Sequence, residues 1–85
     1  MFLQVRIRMK LEAIFRPHGF LYMFGSGLCS KIYNEGVHNN LSYIKKRGLS
    51  SHDAAIYCIK KTLDENAFNT DPAYGTLLDI VSREG

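Results

Sequence analysis

Cys29, Cys58, His52 and Asp53 are the residues whose types could carry covalent chemistry in this chain. Nucleophilic catalysis needs a nucleophile, a base and a group that orients the base, all converging in one cleft. His52 and Asp53 are adjacent in sequence, and adjacent residues on a helix point apart, so Asp53 does not orient His52. Gly25-Ser26-Gly27, just ahead of Cys29, has neither the flanks of a nucleophile elbow nor the Lys of a phosphate-cradling loop, and it reads as a turn. His18, Cys29, His38, His52 and Cys58 never fall at the short spacings that place two metal ligands on one turn or one helix face. The expectation is a protein that is not an enzyme and carries no metal and no cofactor. A small enzyme using Cys29 or His52 is kept as a second alternative.

The cations are the stronger signal. Arg6, Arg8 and Lys10 occupy alternate positions and Arg16 follows at a turn. On an extended strand such residues stand roughly 7 Å apart along one side, close to the spacing of phosphates on a single nucleic-acid strand. Lys45-Lys46-Arg47 forms a second cluster. These seven residues are the candidate contacts to a partner or to nucleic acid. Each group also has a plainer account, since exposed strand faces carry cations for solubility and cations in a last helical turn favour the helix dipole. Lys45 to Arg47 precede a Gly and then a second helix, but that helix offers His52, Lys60 and Lys61 with no Arg, Asn or Gln to read bases. Phe20, Tyr22, Phe24, Tyr33 and Tyr43 could stack on bases, although a chain this short needs most of its large rings for a core.

The elements that must position these residues follow from periodicity. From Leu3 to Phe15 the odd positions are apolar and the even ones polar, with Ile14 as the one exception. A helix would set Arg6 and Arg8 ~200° apart, so the alternation predicts a long strand with a basic face and an oily face, bent near Glu12 to Ile14. Met9 to Arg16 nonetheless contains good helix formers. Arg16-Pro17-His18-Gly19 has the make-up of a tight turn, and Phe20 to Phe24 and Leu28 to Asn34 would complete a three-stranded antiparallel meander.

Beyond Gly36 the period changes. Val37, Leu41, Tyr43 and Ile44 sit at helical spacing, and Gly48 suits the residue just past a helix end. Ser50 with Asp53 resembles a capping box, Leu49 and Ala54 a hydrophobic staple, and a helix over 51–65 would bury Ala55, Ile56, Ile59 and Leu63. Asp71-Pro72 predicts the start of a last helix, 72–83, burying Tyr74, Leu77, Leu78 and Val81. The fold class expected is therefore α+β, the N-terminal meander packed against two or three C-terminal helices, in a single small domain spanning 1–85.

Of the 85 residues 46% are hydrophobic and 22% charged, a globular composition that excludes a disordered chain. The longest apolar run, Phe20 to Phe24, is far short of the ~20 residues that cross a bilayer. The interleaving of Arg6, Arg8 and Lys10 with apolar residues is unlike a secretory signal, and two distant cysteines are few for a disulfide-stapled domain. A cytoplasmic protein with free thiols and no membrane contact is expected. The net charge of +3 divides into +7 over residues 1–61 and −4 over 62–85, which suits an acidic or polyanionic partner.

These features together predict a small non-enzymatic binding protein, an adaptor or inhibitor of a larger protein or nucleoprotein machine, a profile shared with accessory proteins of phages and mobile elements. The alternative is direct binding of nucleic acid through the seven cations. A long edge strand could also pair with its twin, so a homodimer is a further expectation.

Overall fold

The computed structural model describes residues 2–20, 27–65 and 69–84, which form helices and turns, with no strand among them. Helix α1 spans Leu3–Phe15 and runs into a 3₁₀ turn at Arg16–His18. Helix α2, Gly27–Lys31, continues through a π-helical segment, Ile32–Gly36, into α3, Val37–Arg47, so that one helical rod carries all three. Helix α4 spans Ser51–Asp64 and α5 Tyr74–Glu84. The architecture is all-α, which overturns the α+β expectation and its meander.

The opening segment shows why the alternation misleads. Positions 3, 7, 11 and 15 belong to a period of two, but they are also spaced by four, which is one face of a helix. Ile7, Leu11 and Phe15 are the buried ones, with Leu3 and Ile14 packed beside them. Ile14, the residue that breaks the alternation, fits the helical stripe. A thirteen-residue strand would also be exceptionally long, whereas thirteen residues is an ordinary helix.

The supposed hairpin turn is a helix terminus. Gly19 adopts a left-handed φ of 76°, its N–H donates to Arg16 O at 3.0 Å, and the Phe20 N–H donates to Phe15 O at 3.1 Å. This is the Schellman arrangement, closed by a contact of Phe20 with the core. The expected second strand, Phe20 to Phe24, lies outside the described residues beyond Phe20, as do Gly25 and Ser26. The third, Leu28 to Asn34, is helical, and Leu28, Cys29 and Ile32 on it are buried.

The C-terminal half matches the reading of its caps. Gly48 has φ 65°, with Gly48 N–H donating to Lys45 O and Leu49 N–H to Ile44 O, both at 3.2 Å. Ser50 Oγ accepts from the Asp53 N–H at 3.1 Å and starts α4. Asp71 does more than its sequence position suggests. One carboxylate oxygen accepts from Ala73 N–H at 2.9 Å, ahead of α5, and the other from Leu28 N–H at 3.1 Å, in the first turn of α2. A single side chain thus ties the starts of two helices together. On α5, Leu77 is buried but Leu78, expected inside, is exposed.

α4 lies at the centre, with α1, the π segment, α3 and α5 packed around it. Its inward residues are Ala54, Ala55, Cys58, Ile59, Thr62 and Leu63, whereas Ile56 is only half-buried. Small side chains let the π segment come close: a Cβ at Gly36 would stand 3.1 Å from Thr62 Oγ1. Thr62 itself is satisfied, its hydroxyl donating to Cys58 O at 2.9 Å. None of the helices of the described residues is long and apolar enough to cross a membrane.

Candidate functional site

Because α1 is a helix, the basic row expected along a strand is divided. Arg6 and Lys10 are one turn apart and exposed on one flank of α1. Arg8 lies on the other flank, where its Nε donates to Tyr33 O at 3.1 Å and its guanidinium stands 5.5 Å from the centre of the Tyr33 ring. The π segment makes that bond available. Val37 N–H reaches back five residues to Ile32 O, one step past the Tyr33 carbonyl it would meet in an α-helix. Tyr33 OH in turn donates to Glu12 Oε1 at 3.2 Å, and Arg16 pairs with Glu12 at 3.6 Å. Arg8 is therefore held by contacts within the chain, whereas Arg16 makes only an exposed surface pair.

Between those two flanks α1 carries a second apolar stripe, pointing away from the core. Phe2, Val5 and Met9 fall at helical spacing and are 76%, 39% and 54% exposed. Ala13 extends the line by a further turn and is exposed as well. An alternation with apolar residues at every odd position supplies two helical stripes: 3, 7, 11 and 15 face inward, and 5, 9 and 13 face outward. The second stripe is present in the sequence, where the alternation reads it as part of the oily face of a strand.

The other cluster, Lys45, Lys46 and Arg47, is exposed in the last turn of α3. There the structure brings in residues of α4. The Tyr43 and Tyr57 rings stack with centroids 4.5 Å apart and planes 10° from parallel. Arg47 lies over Tyr43 at 5.9 Å and Lys61 over Tyr57 at 5.6 Å. Each helix supplies a Tyr and a cation four residues later, so the pairs 43/47 and 57/61 are legible in sequence once both segments are helical. The meeting of Tyr57 with Tyr43 carries no such signal, because only the packing of α3 on α4 shows which side of each helix meets the other. Phe20 stacks at 6.4 Å on His18 instead, and Tyr33 on Arg8, while Tyr22 and Phe24 lie outside the described residues.

The residues considered for covalent chemistry are placed apart from these surfaces. Cys29 and Cys58 stand outside any disulfide and have no exposed surface. Burial pushes the Cys58 thiol up to about 11, which keeps it neutral near pH 7. His52 Nε2 pairs with Glu84 of α5 at 3.3 Å. Among the described residues no three His, Cys, Asp or Glu side chains gather as a metal-binding group. Lys31 is held above its ordinary lysine range by its hydrogen bond with Glu65, 2.8 Å away, with Glu35 adding to the attraction.

The fold and its surfaces define a small helical bundle with one outward apolar stripe and one aromatic and basic patch. No family model, curated protein or solved structure matches the chain.

Proposed function

We propose that this chain is a non-enzymatic binding module whose protein partner seats on the outer face of α1. One observation carries the reading: Phe2, Val5 and Met9 line up on the side of α1 opposite its buried stripe. Scattered exposed apolar residues are ordinary, but a helical stripe flanked by charge is the usual form of a helix-mediated contact.

The flank indicates the chemistry of the partner. Arg6 and Lys10 border the stripe, and among the described residues neither lies within ion-pairing distance of a carboxylate. Antiparallel pairing of two α1 helices about a two-fold axis would set this flank against its own copy, and parallel pairing would set it against the flank of Arg8 and Arg16. The first puts cations against cations, and in the second Glu12 offsets only one of the two arginines, so charge favours an acidic partner over a second copy. The earlier ground for a homodimer, an exposed edge strand, is gone with the strand.

The test is affinity capture from nuclease-treated lysate of the source cell, comparing the wild type with Val5→Glu/Met9→Glu and with Arg6→Glu/Lys10→Glu. The expected result is an acidic partner held by the wild type and lost from both variants, with helicity unchanged. The same proteins captured by all three, or light scattering that gives a dimer abolished by Val5→Glu/Met9→Glu, would overturn the proposal.

A further inference from the structure

A second surface, independent of the α1 stripe, is formed where α3 and α4 meet. We infer that the stacked Tyr43 and Tyr57 rings, bracketed by Arg47 and Lys61, bind single-stranded nucleic acid.

Three features carry this. The two rings are already stacked on each other, with centroids 4.5 Å apart, which makes a rigid planar platform, and Tyr43 is 42% exposed, so the stack opens to solvent. Each ring has a cation over it on a long exposed side chain, and Lys45, Lys46 and Lys60 are exposed nearby along the same two helices. Among the described residues none of these five cations pairs with a carboxylate. A hollow of about 260 Å³ adjoins the rings and reaches Ile56 and Lys60, with Asp53 and Glu84 also on its wall. Glu84 lies 3.3 Å from His52 Nε2, and Asp53 stands in the first turn of α4, so the place for an anion is the Arg47 and Lys60 side, away from both carboxylates.

Binding then works by exchange. A base adds to the tyrosine stack by displacing the flexible Arg47 or Lys61 side chain, and the freed cation meets the adjoining phosphate. A duplex keeps its base faces inside its own stack, so the rings have nothing to stack on. A phosphorylated peptide offers the charge without the planar partner. The combination of paired rings and unpaired cations therefore favours an unpaired strand.

Fluorescence anisotropy with labelled 15-mers of dT and of U, and with a 15-base-pair duplex, tests this. Expected are micromolar binding of at least one single strand at 50 mM salt and an affinity about tenfold lower at 200 mM, as two or three phosphate contacts give. Arg47→Ala/Lys61→Ala should weaken it at least tenfold and Tyr43→Leu at least fivefold, both with native helicity. Arg83→Ala, a cation that does not line the hollow and pairs with Asp79, should stay within twofold. No binding at 50 mM salt, equal affinity for the duplex, or undiminished binding by Arg47→Ala/Lys61→Ala would overturn the inference.

Discussion

Helix α4 is wrapped by α1, the π segment, α3 and α5, whereas α1 rests on its neighbours with one face and leaves Phe2, Val5 and Met9 uncovered on the other. The two helices also begin differently. Ser50 caps α4 with its side chain, while the Phe2 side chain offers α1 no such cap and only the Phe2 carbonyl accepts, from the Val5 and Arg6 N–H groups. The difference separates two tasks. Stability is concentrated around α4, where Ala54, Ala55, Cys58 and Gly36 permit close helix approach. The outer face of α1 contributes little to that packing, so its composition can answer to a partner.

Substitutions at the two helices should therefore diverge. The largest effect is expected from Ile59→Ala, which empties a fully buried site on α4 and should cost about 2–5 kcal/mol in denaturant unfolding. Asp71→Ala comes next. It removes acceptors from Leu28 N–H and Ala73 N–H together, and a loss of about 2 kcal/mol is expected, twice that of an ordinary cap. A loss no greater than that of Ser50→Ala, about 1 kcal/mol, would show that Asp71 does not hold both helix starts.

Alkaline unfolding sharpens the same contrast. The folded protein holds the Cys58 proton to about pH 11, whereas a solvated thiol releases it near 9.0. Stability from this group is complete below pH 9 and falls as pH rises from 9 to 11, because the unfolded chain then binds fewer protons. A decline of roughly 1 to 2 kcal/mol is expected over that window, beyond whatever persists in Cys58→Ala. Last comes Val5→Glu/Met9→Glu on α1, expected to stay within about 0.5 kcal/mol of the wild type. A loss comparable to that of Ile59→Ala would mean that the outer stripe of α1 supports the fold.

How far the sequence could be read depended on the kind of signal each segment carries. Ser50, Asp53 and Gly48 act through local hydrogen bonds and a left-handed backbone, so α4 and the end of α3 were placed from residue types alone. Phe15-Arg16-Pro17-His18-Gly19-Phe20 and Ile44-Lys45-Lys46-Arg47-Gly48-Leu49 form the same terminus, with apolar residues five apart and Gly between them. Only the second was legible as a helix end, because Pro17 and the preceding alternation invited a hairpin. At the candidate sites, Arg6 and Lys10 remained exposed cations, Arg8 and Arg16 turned into intrachain contacts, and Lys45 to Arg47 acquired Tyr57 and Lys61 as neighbours. No local feature of residues 45–47 points to Tyr57, since that contact depends on how α3 lies on α4.

The sequence by itself determined the C-terminal helices, because caps and glycine termini act within a few residues, and it determined the excess of cations over residues 1–61. Only the tertiary structure decided that Leu3–Phe15 is a helix. Its pattern satisfies periods of two and of four alike, and burying Ile7, Leu11 and Phe15 against the bundle selects the second. That choice turned one oily strand face into an inner stripe that holds the fold and an outer stripe left for a partner.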